Sequence, residues 1–239
     1  MEAQKKEAGI AALAEVTSGM TLGLGTGSTV RHFLEALGAA LRDGALRDIR
    51  GVPTSEDTAT RARTLGIPLL ELHDAGTLDL AVDGADEVAP SLDLIKGLGG
   101  ALLREKMVVQ ASRRFVVIAD ASKRVERLGE KAPLPVEVVS FGWQAHLSYL
   151  ESLGAEPRLR TRGLEPYRTD NGNFIVDLVF PGGIGDAAGL DRALASRAGV
   201  VETGLFLGLA DRCYLATAAG VERMDVPDPG RPDSNGRNG

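Results

Sequence analysis

Four short, mostly apolar runs constrain this chain more than any other feature, because each stops abruptly in a polar or glycine-rich segment. The runs lie at residues 20–24, 49–52, 78–82 and 115–119. They lead into Gly-Leu-Gly-Thr-Gly-Ser-Thr (23–29), Pro-Thr-Ser-Glu-Asp (53–57), Asp-Gly-Ala-Asp-Glu (83–87) and Asp-Ala-Ser-Lys (120–123). Helical periodicity follows at 30–41, from 53–57 to Gly66, and at 101–112, and a further helix over 3–17 precedes the first run. Strands alternating with helices at this spacing predict βα units and a mainly parallel sheet. In such sheets ligands bind beyond the carboxyl ends of the strands, so these four strand ends predict a single cleft.

The texture changes near Pro133 and Pro135. Strands at 136–139, 156–161, 174–180 and 200–203 with helices at 143–153 and 187–195 give a βαββαβ order, which suits a ferredoxin-like unit. Strands at 209–217 and 221–226 then rejoin the first sheet. The expected architecture is α/β: a Rossmann-like catalytic domain over 1–131 plus 207–226, and a smaller inserted ferredoxin-like α+β domain over 132–206. Residues 227–239, rich in Pro, Gly, Asn and Asp, have nothing to bury and read as a disordered tail.

Charge and cysteine usage narrow the function classes. The net charge of −6 argues against nucleic-acid binding, which needs a basic face. The single cysteine, Cys213, cannot form an intrachain disulfide and reads as a buried, inert thiol. There is no signal-peptide pattern, and no apolar run approaches the roughly 18 residues of a membrane span. A cytoplasmic enzyme or binding protein that meets no membrane is the expectation.

The chemistry-bearing segments each leave alternatives open. In Lys-Gly-Leu-Gly-Gly-Ala-Leu-Leu-Arg-Glu-Lys (96–106) a glycine turn opens a helix. Ala101, Leu102, Val108 and Val109 fall on one stripe of that helix, Glu105 sits in the middle, and Arg104 and Lys106 lie on the flanks. A carboxylate on an apolar face is costly unless it is paired or opens to a cleft; a structural ion pair and a functional group are both open. The turn at 23–29 has Ser28 where a dinucleotide fingerprint needs its third glycine, and it lacks a P-loop ending. Its free N–H groups and helix dipole suit a single phosphate or carboxylate, or merely a tight turn. Asp83, Asp86 and Glu87 could bind a divalent metal, stay solvated, or bond sugar hydroxyls. His32, His73 and His146 stand in no catalytic pattern, and no nucleophile elbow exists.

Taken together, Gly-Thr-Gly-Ser-Thr (25–29), Asp-Gly-Ala-Asp-Glu (83–87), the 96–106 stretch and Ser122-Lys123 resemble the A-type ribose-5-phosphate isomerases, in one order from the N-terminus to about Val226. The resemblance implies interconversion of ribose 5-phosphate and ribulose 5-phosphate through an enediol, within the non-oxidative pentose phosphate pathway. It implies a phosphosugar as partner, no metal or other cofactor, and a homodimer or homotetramer. By matching motif, Glu105 is the general base and Lys96 the cation near the enediolate oxygens. Asp83 contacts the sugar and helps open its ring, and Asp86 orders the pocket. Thr26, Gly27, Ser28, Thr29, Lys123 and Lys5 would hold the phosphate, while Gly84, Ala85, Gly97, Leu98 and Gly99 would also bind the substrate. Two positions depart from the pattern: Leu98 replaces a frequent glycine, and Leu103 a common threonine.

An apolar stripe around Glu105 would raise its basicity above a free glutamate's, about 4.3. Three rival readings fit less well. An amino-sugar-phosphate deaminase would need an acid–base histidine near the acidic turn. A phosphosugar-sensing regulator domain would need a DNA-binding segment, and it would leave Lys96 and Glu105 without a role. A coenzyme A-handling protein would show acyl transfer.

Overall fold

In a computed structural model, which describes residues 1–226, the chain forms the elements that the alternation implies; residues 227–239, expected to be a disordered tail, lie outside the described residues. The order is α1 (Glu2–Leu13), β1 (Thr21–Leu24), α2 (Ser28–Arg42), β2 (Arg50–Pro53), α3 (Glu56–Thr64), a single turn α4 (Leu72–Ala75), β3 (Leu80–Gly84), β4 (Glu87–Val88), β5 (Leu94–Ile95), α5 (Leu102–Gln110) and β6 (Phe115–Asp120). It continues with β7 (Leu134–Val138), α6 (Leu147–Ser152), β8 (Glu156–Leu159), β9 (Thr161–Arg162), β10 (Glu165–Pro166), β11 (Phe174–Val179), α7 (Ala187–Ala195), β12 (Val200–Thr203), β13 (Leu205–Phe206), β14 (Arg212–Thr217) and β15 (Gly220–Asp225).

The main sheet runs β15-β14-β6-β3-β1-β2, with every pairing parallel except the edge pair β14–β15. Strands β1, β3 and β6 are buried along almost their whole length, as strands covered on both faces must be. Strand order reverses between β1 and β3: β2 lies on one side of β1, and the chain crosses back to place β3 on the other. A crevice opens at such a reversal. A second sheet, β12-β7-β11-β8, is wholly antiparallel. Numbered within the βαββαβ run, its order is fourth, first, third, second, which is the ferredoxin-like arrangement. Its strands and helices bury a cluster that includes Val136, Leu150, Val176, Leu178 and Leu194, apart from the cluster of α1, α2 and the main sheet. Cys213 is buried in β14, and burial pushes its thiol up to about 12, far above any reactive range.

Several boundaries differ from the periodicity. The helix expected over 3–17 ends at Leu13, because Glu15 N–H and Val16 N–H bond back only three residues, to Ala12 and Leu13 at 3.1 Å. Glu15 then takes hydrogen bonds from Arg114, Arg212 and Tyr214, which outweigh its desolvation and hold its carboxyl at about 2. Helix α2 starts at Ser28 rather than Val30, since Gly27 adopts φ 124°, open mainly to glycine, and turns the chain at once. Residues 67–70 join the sheet through one bridge, Gly51 to Leu69. The 143–153 helix is a 3₁₀ turn at Trp143–His146 followed by α6. A three-stranded sheet, β13-β5-β4, had no counterpart in the pattern; its strands are two residues long, too short to show a period.

Candidate active site

Three adjacent parallel strands deliver their carboxyl ends to one cleft of about 200 Å³. Its walls are Lys5, residues 26–29, Gly84, Ala85, Asp86, Lys96, Gly97, Gly99, Glu105, Asp120, Ser122 and Lys123, with Met1 at the rim. The strand-end segments after β1, β3 and β6 thus meet, whereas that after β2 contributes from behind. Thr54, Ser55 and Thr58 form a buried hydroxyl cluster with Thr26 Oγ1, at 2.7, 2.8 and 3.2 Å. This cluster occupies the Thr26 hydroxyl and fixes the turn.

Asp83 stands at the end of β3 and is 1 % exposed. Its Oδ1 accepts hydrogen bonds from Thr26 N–H at 3.0 Å and Gly84 N–H at 2.7 Å, so it stitches the two strands that flank the reversal. Gly25 makes this approach possible: a Cβ there would lie 2.2 Å from Asp83 Cγ. The other oxygen, Oδ2, is 3.0 Å from Lys96 Nζ.

Lys96 leaves β5 and is 2 % exposed. Its ammonium donates to Gly84 O at 2.6 Å and lies 3.3 Å from Glu105 Oε2. The Phe206 ring covers it, with the centroid 5.4 Å from Nζ. Burial alone would discharge this lysine, but the Asp83 and Glu105 carboxylates outweigh it and hold the ammonium up to about 12.

Glu105 sits in the first turn of α5, 4 % exposed, its N–H bonded to Ala101 O at 2.9 Å. Its Oε2 is buried and accepts no hydrogen bond among the described residues. Burial, then the neighbouring charge of Asp83, push this carboxyl up to about 8 against the pull of Lys96. Burial raises Asp83 as well, against Lys96 and its two backbone donors. One buried cation therefore faces two buried carboxyls, and burial raises both of them against its pull.

The other acids divide. Asp86 reaches the cleft, and its Oδ2 accepts from Leu98 N–H at 2.9 Å. Glu87 turns away and is fully buried, accepting from the N–H groups of Gly129, Lys131 and Ala132 at 2.6, 2.5 and 2.7 Å. The three acids of that turn therefore do not converge, and no group of three His, Cys, Asp or Glu residues among the described residues has metal-holding geometry. Leu98 is 41 % exposed and does not line the cleft.

Asp120 and Ser122, within the expected strand end 120–123, line the cleft, with Ser122 N–H and Oγ–H both donating to Asp120 Oδ1. Two other placements have no signal in the sequence. Lys106, expected on the flank of α5, is buried, donating to Glu202 Oε1 at 2.6 Å and Thr203 O at 2.9 Å. Arg104 ties the same helix outward, to Glu56 Oε1, Asn171 Oδ1 and Asp170 O. Partners so distant in sequence leave no local trace.

The arrangement offers a buried carboxyl of raised basicity 3.3 Å from a fixed cation, in a cleft also lined by a glycine turn, the α2 N-terminus, Lys5 and Lys123. Comparison with known proteins points the same way. Residues 50–220 match the family model of ribose 5-phosphate isomerase A (phosphoriboisomerase A). The ribose-5-phosphate isomerase A of Deinococcus radiodurans is 50% identical over 224 residues, covering 94% of this chain and 98% of its own. That of Roseiflexus castenholzii is 52% identical over 228 residues, covering 95% and 97%. Among solved structures, a D-ribose-5-phosphate isomerase in complex with phospho-erythronic acid superposes with a TM-score of 0.91 at 40% identity, over 94% of this chain and 98% of that one. The ribose 5-phosphate isomerase of Plasmodium falciparum gives 0.92 at 37% identity, over 95% and 100%. Near-complete coverage at such identity leaves no part of the described fold unaccounted for, and the chain belongs to the ribose 5-phosphate isomerase A family.

Proposed function

We propose that the cleft binds ribose 5-phosphate and interconverts it with ribulose 5-phosphate, and that Glu105 moves the proton. The observation that carries this is the Glu105 carboxyl itself: buried on the cleft wall, without a donor on Oε2, and 3.3 Å from the Lys96 ammonium.

The steps follow from that geometry. Asp86, on the cleft wall, meets the sugar as its ring opens, whereas Asp83, expected to contact it, is buried off the wall and acts by holding Lys96 and the Thr26 turn. The Glu105 carboxylate removes the C2 proton of the open aldose; the C–H electron pair becomes the C1=C2 bond, and the carbonyl pair moves onto O1. Lys96 stabilises the oxygens that carry this charge, and a fixed cation in a dry site contributes several kcal/mol there. A proton passes from O2 to O1. Glu105 then returns its proton to C1 while the O2 pair forms the ketone. One carboxylate suffices because both carbons present the same face to it. Lys5, Lys123 and the α2 N-terminus hold the phosphate away from the reacting carbons, so that binding energy fixes their position.

The same reading takes residues 1–131 with 207–226 as the catalytic unit and 132–206 as a supporting unit; the second sheet's own cluster supports the division, with Ala89, Ile95, Val125 and Leu128 of the first unit packed into it. It takes the molecule as a homodimer or homotetramer in the cytoplasm, acting in the non-oxidative pentose phosphate pathway. Phe141 and Leu164, 93% and 99% exposed, are apolar surface suited to a partner copy, and a charged sugar phosphate does not cross membranes unaided. No helix among the described residues is long and apolar enough to cross one.

The test is isomerisation of ribose 5-phosphate in deuterated water. A proton carried on a carboxyl exchanges with solvent during some turnovers, so ketose carrying deuterium at C1 is expected. Conversion with no deuterium entering, and with turnover retained in Glu105→Gln, would exclude Glu105 as carrier.

A further inference from the structure

We infer that Arg160, a residue of the second sheet's periphery, is a positioning residue for the reaction: it sets the backbone of the Gly97–Gly99 turn so that the Gly99 N–H faces the substrate. The inference rests on the isomerase reading above and extends it to a residue outside the cleft.

Arg160 lies between β8 and β9, and its side chain is 13% exposed. Asp177 of β11 grips it as a fork, with Nε donating to Oδ2 at 2.9 Å and Nη2 to Oδ1 at 2.5 Å. A guanidinium held bidentately has one rigid orientation. Its remaining donor, Nη1, bonds Gly97 O at 2.8 Å and Leu98 O at 3.1 Å. The Tyr167 ring, 5.9 Å from the guanidinium, lies against the same turn: a Cβ on Gly100 would meet its Oη at 2.1 Å.

Peptide planarity turns these contacts into directions. In a trans peptide the C=O and the following N–H point opposite ways, and no cis peptide occurs among the described residues. With Gly97 O drawn to Arg160, the N–H of Leu98 points away from it and meets Asp86 Oδ2 at 2.9 Å. One peptide unit is thus held at both ends, by Arg160 on the outside and by cleft-lining Asp86 on the inside. With Leu98 O also drawn to Arg160, the Gly99 N–H points toward the cleft that Gly99 lines. Gly99 N makes no hydrogen bond to the protein backbone or to a side chain among the described residues. It is a free donor in the right direction, on the loop that also carries Lys96.

A donor aimed at an oxygen that becomes charged stabilises the transition state more than the ground state. Losing its aim should lower kcat and spare KM. The experiment compares the whole protein with Arg160→Met, Arg160→Lys and Asp177→Asn, measuring kcat, KM and inhibition by phospho-erythronic acid, whose carboxylate places charge where the intermediate carries it. For Arg160→Met a kcat loss of about 10- to 100-fold is expected, with KM within about 3-fold and inhibitor affinity falling in parallel with kcat. Asp177→Asn should lose less, in the same direction. Arg160→Lys, which keeps the charge but not the fork, should fall between. If Arg160→Met fails to fold, the other two variants decide. An unchanged kcat in every folded variant, or a loss in KM alone, would overturn the role. The unmodified protein run alongside separates the two levels: its own failure to isomerise would refute the functional reading, whereas variant behaviour bears only on Arg160.

Discussion

The Lys96 ammonium lies 3.3 Å from the Glu105 carboxyl, and neither group is more than 4 % exposed. A lone surface pair at this distance would leave both groups at their ordinary ionisation. Here Asp83 competes for the same cation, and desolvation dominates, so Glu105 titrates near 8 rather than near 4.5.

That value sets a pH profile. The base must be ionised in the free enzyme, so kcat/KM should rise about tenfold per pH unit on the acid side and level off above roughly pH 8. Lys96→Met removes the group that favours the ionised form and the stabiliser of the enediolate. Its kcat should fall by about 10²- to 10³-fold, and the limb should move to higher pH. Initial rates across pH 5 to 10 test both; a limb near 4 to 5 would contradict the burial argument.

The same shift has a consequence for stability with the opposite sign to most acids. Glu105 binds its proton more tightly folded than unfolded. The stability it contributes is complete below the unfolded value near 4.5 and is lost as pH rises through about 8. Glu105→Gln carries no such charge. At pH 9 it should be more stable than the parent by on the order of 1–3 kcal/mol, a gain limited because Lys96 loses a partner. At pH 5 the two should melt together. Thermal unfolding at both pH values measures this.

Phosphate contacts should act on binding. Lys123→Ala and Lys5→Ala each remove one cation from the cleft wall near the α2 N-terminus. KM should rise about tenfold in each, and competitive inhibition by inorganic phosphate should weaken to match. Unchanged KM and unchanged phosphate inhibition would place the phosphate elsewhere.

Much of the fold was legible because its signals are local. Apolar runs that end in glycine or acid at Leu24, Val82 and Ala119 mark parallel strands, and an acid on the apolar stripe of α5 marks Glu105. The missing parts depend on distant partners. Lys106 is buried because Glu202, 96 positions away, receives it. Glu87 leaves the acidic turn because three N–H groups more than 40 residues later surround it. Arg160 reaches the 97–99 turn only once the two sheets have packed. Strands β4, β5 and β13 are too short to carry a period, yet they hold Lys96 in place through its N–H bond to Gly204 O at 2.9 Å.

The most direct measurement is the turnover of Glu105→Gln on ribose 5-phosphate, made on protein shown to be folded and still able to bind phospho-erythronic acid. Glutamine fills the same space but cannot carry the proton between C2 and C1. A fall in kcat of at least about 10³-fold is expected; turnover within about tenfold of the parent would contradict the claim that this carboxyl moves the proton.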